Sequence, residues 1–375
     1  MRTVPLGKVA AIERRAVDPA ALPPETIYLG LEHIERGGRI IGHDTVGGAE
    51  VASAKFRFGA EHVLYGKLRP YLGKISRPDF AGVCSTDILP IRPSADLDRS
   101  YLAHYLALPT MVDFAAARAT GANLPRLSPT VLATFPVPLP PLAEQRRIAE
   151  ILDRADTIRT KRRQVLTHLD SLTQAVFQEM FGGLQESRRL GAQLEFLTSG
   201  SRGWSKYYSD SGDLFLRIQN VAHGRLDLED VAFVAAPDSA EAKRTAVKAG
   251  DVLVSITADL GRTAVVPQTL ERAFINQHLA ILRAPEIVPE FLSASIESPA
   301  GRRQLISRNR AAVKDGLNFA DIRSLEIPVA SQSQQHEFAR LTNAISESRA
   351  IVMRASAVDD TLFTSLQCRA FKGEL

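Results

Sequence analysis

Arg202, Trp204, Lys206 and Tyr207 stand within residues 200–208, between and beside Gly200 and Gly203. Two cations there would neutralise phosphates, and the glycines would let the backbone approach a ligand closely. The same residues also fit a buried Trp204 beneath an ordinary charged loop. Lys67, Arg69, Tyr71 and Lys74 share one glycine-bounded segment, and Arg118, Asn123 and Arg126 form a polar, basic turn. A further cluster holds Arg302, Arg303, Arg308, Arg310 and Lys314. On a helix it is either a basic face for an acidic partner or a solvated face. Arg217, Gln219, Asn220, Asn276 and Gln277 carry the guanidinium and amide groups that read base edges in the major groove. The amides equally suit caps and turns.

Tools for catalysis are missing from the sequence. There is no Gly-rich dinucleotide fingerprint, no phosphate loop ending in Gly-Lys-Ser/Thr, and no zinc spacing. The glycines of residues 37–42 are followed by His43 where a phosphate loop needs lysine, so a hairpin or loop is expected. Glu241 and Lys243 resemble half of a nuclease motif, but Asp238 is too close to sit on an adjacent strand, and a solvated charge cluster is expected. Ser85, Thr86 and Asp87 have no histidine beside them in sequence to make a nucleophile. No catalytic residue and no metal site are expected.

The elements that position these residues are written twice. Glu144, Gln145, Ile148, Asp170, Phe181 and Gly183 recur 190 positions later as Gln334, Gln335, Phe338, Asp360, Phe371 and Gly373. The repeat extends upstream with small drifts. Residues 28–34 align with 215–221, 63–66 with 252–255, and 85–87 with 276–278. A duplicated chain predicts internal pseudo-two-fold symmetry and a partner that comes as two half-sites or two subunits.

Short apolar runs at residues 62–65, 88–91, 252–256 and 279–282 are bounded by Gly, Pro, Asp and Asn, which predicts strands. Residues 101–108 and 290–296 predict short helices ending before Pro109 and Pro299. The proline-rich residues 136–141 predict an extended linker. From Leu142 to Phe181 there is neither Pro nor Gly. Ile148, Ile151, Ile158, Val165, Leu169, Leu172 and Val176 recur there at steps that, with Arg162 in a polar slot, describe a heptad seam. Phe338, Leu341, Ile345, Val352, Leu362 and Leu366 repeat it, with Ser348 and Asp359 as polar breaks. A helix of about 38 residues would span roughly 57 Å, and each copy is the obvious antiparallel partner of the other.

The fold class expected is α+β. Two similar, strand-rich mixed domains (residues 1–138 and 184–329) would be separated by two long antiparallel coiled-coil helices (139–183 and 330–375). A length of 375 residues with 45% hydrophobic content supports cores for two domains. Lys plus Arg number 46 against 42 Asp plus Glu, a mildly basic balance that permits nucleic-acid binding without requiring it. The two cysteines, Cys84 and Cys368, are far apart, which predicts no disulfide framework and a reducing, cytoplasmic setting. No signal peptide, membrane span or membrane partner is expected.

Residues Pro138-Leu-Pro-Pro-Leu-Ala-Glu-Gln-Arg-Arg-Ile-Ala149 run into the first long helix, and the second helix ends Phe371-Lys-Gly-Glu-Leu375. With Phe215-Leu-Arg-Ile-Gln-Asn220 following a Leu-Gly start, the whole chain resembles the specificity (S) subunit of type I restriction–modification systems. That resemblance implies a non-catalytic reader of double-stranded DNA with two target-recognition domains, each reading half of a split, asymmetric site. It implies helices that fix the gap, two docked methyltransferase (modification) subunits, and restriction subunits as further partners. S-adenosylmethionine and ATP would sit on those partners, with no cofactor on this chain. The chain departs from the family pattern in beginning its first domain almost at Met1, and in carrying Ser331-Gln-Ser-Gln-Gln335 where the first copy has Pro140-Pro-Leu-Ala-Glu-Gln145. The alternative is a non-catalytic DNA-binding or scaffold protein of another phage-defence assembly.

Overall fold

The short apolar runs form the central strands of two sheets built to one plan. A computed structural model describes residues 2–49, 51, 53–308 and 316–375. The chain divides into unit 1, comprising Met1–Arg162 and Ala355–Leu375, and unit 2, comprising Arg163–Arg354.

In unit 1, Val63–Gly66 and Ile88–Pro93 pair antiparallel at the middle of a four-stranded sheet flanked by Ala10–Ile12 and Ile75–Ser76. Val63, Leu64 and Tyr65 are all buried, which is why this strand reads as a continuous apolar run rather than an alternation. A second sheet orders Ala16–Val17, Lys55–Phe58, Gly82–Cys84, Ile27–Leu29 and Asp44–Thr45. Within it, Ile27–Leu29 runs parallel to Gly82–Cys84. Residues 34–40 close as a hairpin on the Ile34–Ile40 bridge, with Gly37 and Gly38 at positive φ.

Unit 2 repeats the first sheet in the same order: Phe196–Ser199, Leu279–Arg283, Val252–Ser255 and Thr263–Val265. Its second sheet orders Tyr208–Ser209, Ala232–Val234, Asp213–Leu216 and Ala273–Ile275, again with one parallel pair, Asp213–Leu216 with Ala273–Ile275. The proline-rich stretch becomes the strand Pro136–Pro138 against Thr3–Pro5, and its counterpart Glu326–Pro328 pairs with Ser187–Arg189.

Helices follow the central strands. Asp98 caps Arg99–Leu106 by accepting from Tyr101 N at 2.9 Å. Pro109–Ala116, Pro289–Glu297 and Pro299–Arg308 each begin at proline, whose fixed φ suits a first helical residue and whose missing N–H is no loss there. The expected helices therefore do stop before Pro109 and Pro299, and new ones start at those prolines. Glu241 and Lys243 lie on the short helix Ala240–Thr245, where Lys243 meets Asp238 at 2.8 Å on the exposed surface.

The long helices are continuous over Leu142–Phe181 and Gln332–Lys372. In unit 1, Ile148, Ala149 and Leu152 share a core with Phe363 and Ala370, and Arg147 donates to the Leu375 carbonyl at 2.8 Å. In unit 2, Phe177 stands 5.6 Å from Phe338, and Arg349 bonds Asp170 at 2.7 Å. Residue numbers rise along one helix as they fall along the other, so the pairing within each unit is antiparallel. The architecture is α+β, with two similar mixed domains and two long antiparallel helices.

The seam differs from the expected stripe. Ile148 and Phe338 are buried, while Ile151, Leu169, Val176, Leu341, Ile345, Val352 and Leu366 are partly covered. Ile158, Val165, Leu172 and Leu362 are 41–53% exposed and do not belong to it. Leu152, Phe177 and Phe363, each one residue beyond an expected one, are buried in their place. A 3.6-residue helix drifts by about 20° per heptad against a strict 3.5 spacing, so the apolar stripe of a straight helix slides off register. Charge fills part of the gap. Arg159 bonds Asp360 at 2.6 Å, and Arg162 pairs with Asp359, so the two polar slots of the stripe meet each other.

Candidate nucleic-acid interface

In unit 1 a loop, a corner and a turn come together at one end of the central strands. The loop is residues 67–74, after Val63–Gly66. The corner is residues 85–87, before Ile88–Pro93. The turn is residues 118–127. Lys67 N donates to the Asp87 carbonyl at 2.9 Å, Leu127 N to the Lys67 carbonyl at 2.9 Å, and Arg69 N to the Pro125 carbonyl at 2.7 Å. Arg69 adopts φ +50°, the left-handed region that costs a non-glycine residue energy. The surrounding hydrogen bonds hold it there, with its side chain exposed.

Asp87 collects the cations of this platform. Arg126 donates from Nε and Nη2 to its two oxygens at 3.0 and 3.3 Å, and Lys67 Nζ lies 3.7 Å away. The hydrogen bond to Asp87 raises the Arg126 guanidinium above its ordinary range. Tyr71 and Asn123 are exposed beside them. Two expected contacts point elsewhere. Lys74 turns back to the Leu31 carbonyl at 2.7 Å, and Arg118 lies over the Phe114 ring, 3.4 Å from its centre.

Unit 2 builds the same corner with different side chains. Ile256 N donates to the His278 carbonyl at 3.0 Å, and Leu317 N to the Ile256 carbonyl at 2.9 Å. Ala258, the counterpart of Arg69, is again left-handed at φ +58°. His278 sits where unit 1 has Asp87. Its Nδ1 is 2.7 Å from Thr257 Oγ1, and its Nε2 is 3.0 Å from Gln277 Nε2. Asn276 Oδ1 accepts from His278 N at 3.1 Å. The bridge Ser201–Asn276 brings residues 200–208 to this corner. Gly200 permits it, because a Cβ there would stand 2.2 Å from the Asn276 carbonyl oxygen. Arg202 and Lys206 are exposed on that loop, with Lys206 over the Tyr207 ring at 4.9 Å.

Three expectations are corrected. Trp204 is buried, stacked 5.1 Å from Phe215 and packed 5.1 Å from Phe274, so it supports the loop from below. Asn220 is buried and fully used. Its Oδ1 accepts from Arg217 N at 2.9 Å, and its Nδ2 donates to the carbonyls of Asp227 at 2.9 Å and Asp230 at 3.0 Å. Arg308 spends its donors on Ser324 and Gln304. Arg217 and Gln219 both reach Asp230 at the surface, at 3.4 and 2.8 Å. Arg310 and Lys314 lie outside the described residues. Asp87, Thr257 and His278 are not among the residues expected at the site; the alignment of residues 85–87 with 276–278 is the signal for Asp87 and His278, and Thr257 has none.

Among the described residues no group of three or more His, Cys, Asp or Glu could hold a metal ion, and no helix is long and apolar enough to cross a membrane.

Residues 21–168 match the family model of the type I restriction modification DNA specificity domain. The chain is 34% identical over 165 residues to the type I restriction enzyme EcoDI specificity subunit of Escherichia coli, covering 43% of this chain and 37% of that relative. It is 26% identical over 314 residues to the EcoBI specificity subunit of Escherichia coli, covering 72% of this chain and 65% of that relative. The chain thus spans 37% and 65% of the length of these two curated relatives. A crystal structure of the type I restriction–modification S subunit from M. genitalium shares the fold, with a TM-score of 0.62 at 13% identity over 99% of this chain and 96% of that one.

Proposed function

We propose that this chain, which belongs to the type I restriction–modification specificity-subunit family, reads a bipartite, asymmetric site on double-stranded DNA, one half-site per domain. The observation that carries this reading is the recurrence of one loop-and-corner platform in both units, with the same backbone hydrogen bonds and different side chains at the tip. Equal frames with unequal tips are what a reader of two unlike half-sites needs. Exposed Arg69, Arg202 and Lys206 would engage phosphates and set the register, and the corner residues would meet base edges.

The chain's own part is binding, and the chemistry belongs to partners. Two modification subunits would bind S-adenosylmethionine and methylate adenine, and restriction subunits would use ATP. The paired long helices would fix the gap between half-sites and offer the docking frame. Support for docking comes from Ile158, Val165, Ile351, Val358 and Leu362, which are exposed apolar side chains on those helices.

The test is genome-wide mapping of methyladenine in cells with and without this chain. Loss of methylation at one bipartite motif is the expected result. An unchanged methylome would instead favour a scaffold that works without methyltransferases.

A further inference from the structure

We infer that Arg126, held by Asp87, reads a guanine in the half-site of unit 1, and that Asp87 is the positioning residue for that contact. The inference rests on the DNA-reading function proposed above and names one contact within it.

A guanidinium presents two donor edges. Asp87 occupies the Nε/Nη2 edge of Arg126 through both carboxylate oxygens, at 3.0 and 3.3 Å. The Nη1/Nη2 edge has no protein partner among the described residues. Two parallel donors on that free edge match the O6 and N7 acceptors that guanine shows in the major groove, an arrangement no other base offers. A flexible surface arginine would favour guanine weakly, because ordering it costs side-chain entropy. This arginine is already ordered. Its backbone exchanges hydrogen bonds with Thr120 at 3.0 and 2.8 Å and bridges Leu68. Asp87 is anchored through its carbonyl, which accepts from Lys67 N at 2.9 Å, and through its own N–H, which donates to Ser85 Oγ at 3.3 Å. Both ends of the ion pair therefore stand on fixed backbone while their tips stay open to a partner.

Unit 2 sharpens the point. At the same place its frame carries Gly316 in the position of Arg126 and His278 in that of Asp87. Gly316 carries no side chain and His278 no carboxylate, so among the described residues this ion pair, and the guanine contact inferred from it, belong to unit 1.

The experiment determines the motif selected from a randomised duplex pool, with the chain assembled with its modification subunits, for the native chain, Arg126→Lys and Asp87→Asn. Arg126→Lys keeps the positive charge and loses the two-donor edge. It is expected to relax one guanine position by about tenfold to a hundredfold, with the other half-site unchanged. Asp87→Asn is expected to relax the same position. The intact second half-site also reports that each variant is folded. If Arg126→Lys leaves that position as sharp as in the native chain, or if the two variants relax different positions or both half-sites, the assignment is wrong. If the native chain itself selects no bipartite motif, the DNA-reading function fails, which is a separate result.

Discussion

Gln145 and Gln335, which are 190 residues apart, perform the same task at the start of the two long helices. Gln145 accepts from Asp98 N at 2.9 Å and donates to the carbonyls of Asp96 and Pro140, both at 2.9 Å. Gln335 accepts from Val288 N at 3.0 Å and donates to the Ala330 carbonyl at 2.9 Å. Both side chains are fully buried. Each ties the beginning of a long helix to the segment that enters the helix after the central sheet. Gln335→Ala would leave two buried backbone groups unpaired at about 1–3 kcal/mol each, a loss of about 2–6 kcal/mol in all. Urea unfolding followed by the fluorescence of Trp204 measures it. A change under about 0.5 kcal/mol would show that water replaces the amide.

Trp204 offers a second test, because its burial assigns it to the core of unit 2 rather than to the DNA. Trp204→Phe should keep DNA affinity within about twofold while lowering stability, since a volume-reducing aromatic change in a core costs roughly 1–3 kcal/mol. A large loss of affinity with unchanged stability would return Trp204 to the interface.

Acid should weaken unit 1 through Asp153. Burial pushes this carboxyl up, but hydrogen bonds from His104 at 2.6 Å and Arg77 at 2.7 Å outweigh it and hold it well below the usual carboxylate range. A carboxylate with a depressed folded pKa contributes stability above its unfolded value of about 3.9. That contribution is lost as pH falls through the folded value. Asp153→Asn should therefore be less stable than the native chain at pH 7 and lose less on going below about pH 4. Parallel pH–stability curves for the two proteins would contradict this.

Salt dependence separates phosphate contacts from base contacts. Arg69→Ala and Arg202→Ala should each weaken binding to all sequences and reduce the slope of log K against log salt by about one. A change in motif without a change in slope would mean that these side chains touch bases.

The role of the paired helices as a spacer is tested by length. Inserting four residues, about one turn, near Lys161 together with four near Ile351 should lengthen the gap in the selected site. An unchanged gap would remove the helices from that role.

Much of this was legible because the duplication provides its own control. Strands beginning at Val63, Ile88, Val252 and Leu279 and the helix from Leu142 to Phe181 follow from apolar runs and from where Pro and Gly fall. The seam was legible only to within one residue, since spacing alone does not tell Ile151 from Leu152 when the helix drifts. Spacing alone leaves Trp204 open between loop and core and Asn220 open between base contact and cap, because a ring or an amide has the same composition whether it faces water or a core, and the fold decides for core and cap. Asp87 was passed over as a failed nucleophile. Its role depends on Arg126, 39 residues away, and only the fold brings the two together.

The interleaving of segments in unit 1 bears on how the protein is made. Its main core contains Phe363 and Ala370, and Phe371 lies 5.0 Å from Tyr101. A ribosome finishes residues 163–354, all of unit 2, before it delivers those side chains. The domain synthesised first must therefore wait, with the apolar surface around Tyr101, Tyr105 and Ile148 uncovered, until the distal segment arrives. Chaperone engagement during translation would fall on that earlier half.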